Sequence, residues 1–344
     1  MSPGARDDGR GARGLRRWVT RRRESAPGES RPSPPAPRPS RGDGRSALAA
    51  VPPEILRQVR LLELRTRGLV NSLFTGEYHS VFKGQGMEFA EVREYQPGDE
   101  VRSIDWNVTA RMRHPYVKRY VEERELTVVL AVDLSGSERF GTAARFKSEL
   151  ASELTAVLAM TAVRNNDRVG TLLFTDTVEH VVPPGKGRRH VLRLVRDVLV
   201  YEPTGRGTNI PAAADYLLKM LRHHSVIFLI SDFVGGDIEQ SVKLLAQRHD
   251  VVAVRVEDPR ELSLPDLGLA RFTDPETGET VDVDTSDAAV RARFEEAVGA
   301  ERAERQHLFR RLGIDEVVVR TDTGYIEPLR RFFRLREERG GRRR

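Results

Sequence analysis

Three strand-length apolar runs alternate with amphipathic helical segments in the middle of this chain. The runs LTVVLAVDL (126–134), SVIFLISDF (225–233) and DVVAVRVED (250–258) are almost continuously apolar, which is typical of strands buried on both faces of a sheet. Between them, apolar residues recur at helical spacing, beginning with Phe146 and Leu150. Strands that alternate with helices predict an α/β fold, with a mostly parallel sheet flanked by helices.

The remaining sequence divides into segments of different composition. Residues 1–50 are rich in Arg, Pro and Ser and lack an apolar anchor, so we predict a disordered tail. Residues 51–125 begin with an amphipathic helix and continue in short alternating runs, which predict a small β-rich module before the sheet. The α/β domain spans 126–329, adding a hairpin, a long helix and a further strand. The segment YIEPLRRFFRLR (325–336) predicts a closing helix, and the charge of residues 330–344 predicts a basic tail.

The positive charge of the chain is concentrated in those two tails. The 344 residues carry a net charge of +6, whereas residues 1–50 alone carry +7 and residues 330–344 carry +6. The part between the tails is therefore mildly acidic, which disfavours the domain itself as a nucleic-acid binder. Contact of the tails with nucleic acid or acidic lipid is the alternative that the charge leaves open.

The absence of cysteine and of long apolar segments excludes several kinds of site and of cellular location. The chain has no cysteine, which excludes disulfides, thiolate nucleophiles and iron–sulfur clusters. No apolar run approaches the ~18 residues of a membrane-spanning helix. The Arg-rich start leads into Pro and Ser, where a secretory signal would have an apolar segment. We therefore expect no membrane span and a cytoplasmic location.

Carboxylate and hydroxyl side chains follow the predicted strands at their carboxyl ends. Asp133, Ser135 and Ser137 come directly after the first buried strand, Thr208 lies in a Gly-rich loop before a helix, and Asp232 ends the second buried strand. In an open parallel sheet these ends face one ligand-binding edge. Hard oxygen donors of this kind suit magnesium, manganese or calcium rather than zinc. Helix N-capping or turn formation is the structural alternative for the aspartates and serines.

Two groups of motifs resemble known families. DLSGS after a buried strand, GTN before a helix and SDF after a second strand resemble the metal-ion-dependent adhesion site of von Willebrand factor A domains. The upstream stretches FKGQGMEFAEVREYQPGDEVRSIDWNVTARM and YVKRYVEERE resemble the bacterial "domain of unknown function 58" family. The resemblance implies a von Willebrand A-like (Rossmann-like) fold and a role in protein interaction or complex assembly. It also implies a MoxR-type AAA+ ATPase as the partner.

Carried onto this chain, the resemblance implies one ion, most simply Mg²⁺, with Mn²⁺ or Ca²⁺ as alternatives. All five ion-binding positions match, namely Asp133, Ser135, Ser137, Thr208 and Asp232. One coordination position would stay open to water, which an acidic side chain of a partner protein can displace. The site would then bind that side chain only when the metal ion is present.

A second set of residues matches the upstream family signature. These residues are Glu88, Arg93, Tyr95, Asp99, Arg102, Asp105, Trp106 and Arg111. The three arginines are expected to pair with Asp99 and Asp105 and so clamp the turn onto the main sheet. A partner or ligand surface is the alternative. Trp106 is expected to be a packing anchor rather than a recognition platform.

The motifs favour binding over catalysis. A phosphotransferase built on a strand-end aspartate would place a second aspartate two residues later, where this chain has Ser135. That serine does not lie in a G-x-S-x-G elbow, and the sequence has no G-x-x-x-x-G-K-[ST] P-loop. We therefore predict a non-catalytic, metal-dependent protein-interaction module. A metal-dependent hydrolase and a nucleic-acid-associated protein are the alternatives.

Overall fold

The computed structural model describes residues 87–122, 125–141 and 145–341, together with Leu61 and Tyr78, which are both helical. The tail predicted at 1–50 and most of the helix predicted after Pro52 lie outside these residues.

The first described elements form a small antiparallel hairpin. Its two strands pair along their length, with an irregularity near Phe89, and a 3₁₀ turn and a short helix lie between them. The elements are β1 (Met87–Glu94), the 3₁₀ turn (Val101–Ser103), α1 (Trp106–Met112) and β2 (Tyr116–Glu122). The β-rich module predicted before the main sheet is, in its described part, this hairpin with its inserted helix.

A six-stranded sheet forms the centre of the protein, and its order is β10-β7-β6-β3-β4-β5. Its strands are β3 (Thr127–Asp133), β4 (Arg168–Phe174), β5 (Val178–Gly185), β6 (Val226–Ser231), β7 (Asp250–Glu257) and β10 (Asp315–Arg320). All neighbouring strands are parallel except β5, which pairs antiparallel with β4 at one edge. The chain winds outward in both directions from the β3–β6 boundary, which is the topological switch point where doubly wound sheets bind ligands.

Helices cover both faces of this sheet. They are α2 (Lys147–Arg164), α3 (Arg188–Val200), α4 (Ile210–Met220), α5 (Glu239–Arg248), α6 (Ala288–Leu312) and α7 (Ile326–Gly341). Along β3, Val128, Leu130 and Val132 face a core shared with α2, α3 and α7. Val129 and Ala131 face the opposite core, shared with α4 and α5. The strand is apolar throughout because both of its faces are buried. The predicted α/β class, with a mostly parallel sheet flanked by helices, is confirmed.

A hairpin and a long helix follow β7. The hairpin consists of β8 (Leu269–Thr273) and β9 (Thr280–Asp284), which pair antiparallel. The Asp287 side chain accepts a hydrogen bond from the Ala289 amide at the start of α6, and Gly313 ends that helix in the left-handed conformation. The hairpin and the long helix that the sequence predicts are both present, and the helix has a side-chain N-cap and a left-handed glycine at its end.

The helix α7 extends through most of the segment that the charge count assigned to a basic tail. Leu329, Phe332 and Phe333 are buried against the sheet, and Arg336 forms ion pairs with Asp250 and Asp315. A charge count misses this helix because its apolar side chains lie on one face while its arginines lie on the other. No helix among the described residues is both long enough and apolar enough to cross a lipid bilayer.

Candidate metal centre

Asp133 is the last residue of β3, and it lies beside the end of β6 at the switch point. Its side chain is almost fully buried. One carboxylate oxygen accepts the Ser135 amide at 2.9 Å, and the other accepts the Ser231 hydroxyl at 2.7 Å. These two bonds fix the carboxylate at the carboxyl edge of the sheet.

The hydroxyls of the loop after β3 join Asp133 to Asp232. The Oγ atoms of Ser135 and Ser137 are 3.1 Å apart. The Ser135 hydroxyl hydrogen-bonds to Asp133, and the Ser137 hydroxyl donates to Asp232. Four of the five residues predicted for the ion therefore form one hydrogen-bonded group.

The fifth residue, Thr208, lies in the neighbouring loop, which is held by backbone contacts. Glu179 accepts the Gly205 amide at 2.7 Å, and the carbonyl of Arg206 accepts the Gly136 amide at 2.7 Å. A Cβ added at Gly205 would come within 2.2 Å of Thr175, so only glycine allows this close approach. The loop brings Thr208 to the same edge, where its hydroxyl donates to Glu276 at 3.0 Å.

The two aspartates repel each other in a buried setting. Burial and the negative charge of Asp232 raise the pKa of Asp133 to about 7. Nearby Glu138 is also buried, and neither of its carboxylate oxygens has a hydrogen-bond partner among the described residues. Burial raises the pKa of Glu138 well above its usual range. The site therefore holds more carboxylate than its own surroundings stabilise.

One buried ammonium partly balances this charge. The Nζ atom of Lys147 lies 2.9 Å from Asp232 and 2.9 Å from Glu261. Burial opposes the charged form of Lys147, but the carboxylates of Asp232, Glu138 and Glu261 outweigh it and raise its pKa. Burial likewise opposes the charge of Asp232, but Lys147 outweighs it, and the pKa of Asp232 is lowered.

These residues fit a hard divalent cation. The structure brings together two carboxylates and neutral hydroxyls, which is an oxygen-only donor set. The part of the chain that the structure describes holds no cluster of three or more His, Cys, Asp or Glu with ligand geometry, so hydroxyls would have to supply part of the coordination. The surplus of buried carboxylate around one ammonium leaves a place for further positive charge.

Sequence reasoning missed several polar residues of this centre. Ser231 and Glu138 directly adjoin the predicted motifs, so local position could have suggested them. Lys147 begins α2 on its buried side, where a lysine is unusual enough to signal a partner. Glu261 and Glu276 come from segments far along the chain, and no local pattern identifies them.

The upstream signature residues lie in the hairpin module. Glu88 belongs to β1, Tyr95 follows it, Arg102 lies in the 3₁₀ turn and Arg111 in α1. Arg93 donates to both carboxylate oxygens of Asp99, at 2.9 and 2.7 Å, so this pair holds the turn to β1 of the same module. Asp105 caps α1. Trp106 is 67% exposed, so the expectation of a packing anchor is wrong.

Comparison with known proteins gives a family match and several uncharacterized relatives. The model of the family described as "Protein of unknown function DUF58" matches residues 91–304. Uncharacterized protein Rv1480 of Mycobacterium tuberculosis is 33% identical over 287 residues, which cover 83% of this chain and 90% of that protein. Uncharacterized protein MAV169 of Mycobacterium avium is 34% identical over 158 residues, covering 45% of this chain and 93% of that protein.

Solved structures with similarity include two from Bacteroides. The conserved hypothetical protein BatB from Bacteroides thetaiotaomicron has a TM-score of 0.41 at 15% identity, covering 63% of this chain and 99% of that chain. An aerotolerance-related membrane protein from Bacteroides fragilis has a TM-score of 0.42 at 16% identity, covering 62% and 99%. The manganese-loaded TRAP protein of Plasmodium vivax has a TM-score of 0.32 at 16% identity, covering 38% and 57%.

Proposed function

This chain belongs to the DUF58 family, and we propose that it is a non-catalytic protein-binding module that depends on a divalent cation. Asp133 and the hydroxyls of Ser135, Ser137 and Thr208 hold the ion, and Asp232 acts on it through water. Mg²⁺ is the ion we favour, and Mn²⁺ or Ca²⁺ would use the same oxygen donors. The observation that carries the proposal is the buried juxtaposition of Asp133 and Asp232 at the switch point.

The charges of the described side chains explain how the site would attract an acid. Lys147 already neutralises Asp232 through its 2.9 Å contact, and burial opposes the charge of Glu138 by raising its pKa. Asp133 is then the main charge that faces the ion, so a divalent cation keeps part of its positive charge. When bound, the ion supplies an open coordination position for a carboxylate. A partner's Glu or Asp completes the shell and leaves the site close to neutral.

The serine and threonine hydroxyls orient the ion without cancelling its charge. Ser135 and Ser137 lie on the loop that follows β3. The Ser135 amide donates to the Asp133 carboxylate, and the loop continues as a 3₁₀ turn, Gly136–Arg139. If either hydroxyl were a carboxylate, the site would bind the ion more tightly but lose its attraction for an acidic partner. The choice of neutral donors is therefore what makes the site a binding site for an acid.

A MoxR-type AAA+ ATPase is the partner class that we propose, on the basis of the family resemblance alone. The chemistry of the site adds one requirement, which is an exposed Asp or Glu on the partner surface. We place the encounter in the cytoplasm.

The test combines ion binding with partner capture. Calorimetry with Mg²⁺ and Mn²⁺ should show binding by the wild type and none by Asp133→Ala, because the charged ligand at the end of β3 is lost. Glu304→Ala, which removes an exposed carboxylate from α6, is the matched control and should bind like the wild type. Pull-down of the purified ATPase should then require the ion and fail in chelator. Capture that is insensitive to both chelator and Asp133→Ala would rule the proposal out.

A further inference from the structure

The β8–β9 hairpin places one of its own carboxylates at the candidate metal centre. Glu276, in the turn of this hairpin, accepts the Thr208 hydroxyl at 3.0 Å. Thr208 is one of the five residues proposed for the ion. A carboxylate from a distant part of the chain thus contacts one of the residues proposed for the ion.

The backbone of the same turn packs closely against the loop after β3. A Cβ added at Gly136 would lie 2.5 Å from the carbonyl oxygen of Pro275 and 3.4 Å from that of Arg206. Gly136 lies between Ser135 and Ser137, so the turn covers the loop that carries both hydroxyls. The absence of a side chain at this position is what permits the close approach.

The turn is stiffened from within, so the position of Glu276 is well defined. Buried Asp274 accepts the Glu276 amide at 2.9 Å and the Thr277 hydroxyl at 2.8 Å. The Gly278 amide donates to the Asp274 carbonyl at 2.8 Å, and Gly278 adopts a positive φ of 75°. A side chain on such a braced turn loses little entropy when it binds, which favours a ligand role.

We infer that Glu276 is an intramolecular ligand of the bound cation and takes the coordination position that an acidic partner would use. The inference rests on the proposed function, and it adds autoinhibition to it. A partner carboxylate must displace the hairpin turn before it reaches the ion. The free protein therefore holds its metal in a closed state and presents little open coordination to other acids.

A purely structural role for Glu276 makes a different prediction, which the Glu276→Gln variant separates. Glutamine fills the same space, and its amide oxygen still accepts the Thr208 hydroxyl. It therefore preserves an anchoring hydrogen bond but removes the charged ligand. Glu295→Gln, on the exposed side of α6, removes the same charge away from the turn and is the matched control.

Mn²⁺ alone is the probe, with the full chain in each case. Its dissociation constant is measured from the free Mn²⁺ signal in electron paramagnetic resonance, and water coordination from the proton relaxation rate per bound ion. We expect Glu276→Gln to weaken Mn²⁺ binding about tenfold, since ligand charge sets the affinity of such sites. We also expect faster relaxation than in the wild type, because water replaces the lost carboxylate. Glu295→Gln should match the wild type.

The possible outcomes separate this inference from the proposed function. If the wild type binds Mn²⁺, Asp133→Ala does not, and Glu276→Gln is indistinguishable from the wild type, the intramolecular ligand is refuted while the metal site stands. Equal weakening by Glu295→Gln would also refute it, because the effect would then be one of net charge. Failure of the wild type to bind Mn²⁺ would overturn both.

Hydrogen exchange gives a second readout that is confined to the hairpin. In the wild type, Mn²⁺ should slow exchange of the amides of residues 276–278, because coordination fixes the turn. The same ion should leave those amides unchanged in Glu276→Gln. Equal slowing in both proteins would contradict a coordinating role for Glu276.

Discussion

Replacing Asp133 by asparagine should make the metal-free protein more stable at neutral pH while it destroys the ion site. Asparagine keeps the shape of the side chain, its oxygen still accepts the Ser135 amide, and the Ser231 hydroxyl can turn to accept its amide group. Only the charge that Asp232 opposes is lost. The substitution therefore isolates the electrostatic cost of ionising Asp133.

The size of that cost follows from the pKa of the carboxyl. It is raised from 3.8 to about 7, first by burial and then by Asp232, and each unit corresponds to about 1.36 kcal/mol. Ionisation of Asp133 above pH 7 thus lowers the free energy of unfolding by roughly 4 kcal/mol. The sign follows from proton uptake. Between pH 3.8 and about 7 the folded chain holds a proton that the unfolded chain has released, so wild-type stability falls as the pH rises.

Urea denaturation in chelator at several pH values measures this difference. Asp133→Asn should match the wild type near pH 4 and exceed it by up to about 4 kcal/mol at pH 8. Glu304→Gln, which changes an exposed carboxylate, should follow the wild type at every pH. Adding Mg²⁺ at a hundred times its dissociation constant should stabilise the wild type by about 2.7 kcal/mol and leave Asp133→Asn unchanged. A variant that is less stable than the wild type at pH 8, or that keeps the full wild-type pH dependence, would refute the reasoning.

Two further substitutions test the charge balance and the packing of α7. Lys147→Met removes the ammonium between buried Asp232 and Glu261 and should lower the free energy of unfolding by about 3–5 kcal/mol at pH 7. The loss should shrink towards pH 5 in urea titrations, and a pH-independent loss would contradict the ion-pair argument. Phe333→Ala removes a fully buried ring from α7 and should cost about 3–5 kcal/mol in urea denaturation. A loss below about 1 kcal/mol would show that the helix is not part of the core.

Features that depend on local sequence were predictable, and features that depend on distant contacts were not. The alternation of apolar strands with helices determines the sheet, because each period follows from which faces are buried. The positions of Asp133 and Asp232 after two such strands follow from the same pattern, since parallel strands end at one edge. The ammonium of Lys147 and the carboxylate of Glu276 reach the centre from elements that no sequence window joins. Their roles depend on tertiary packing alone.

The C-terminal helix shows a second reason why some features are predictable from the sequence and others are not. A net-charge count treats residues 330–344 as one basic stretch, whereas the fold depends on how their apolar and charged residues divide between two faces of a helix. Phe332 and Phe333 contribute to the core, while Arg336 pairs with acids at strand starts. Composition alone discards this periodicity. Trp106 shows the opposite error, because a large aromatic was assumed to be buried although it is mostly exposed.

The packing of Phe333 also bears on how this protein folds. Its ring meets that of Tyr78 edge to face, with centroids 5.9 Å apart, so one core joins position 78 to the last helix of the described chain. Contacts between such distant positions form late, because a long loop must close before they contribute. During synthesis, the face of the sheet that α7 covers stays open to water until residues 326–341 have emerged from the ribosome. The nascent domain therefore carries an exposed apolar surface until its last helix is made, and this is the stage at which chaperone binding or aggregation would act on it.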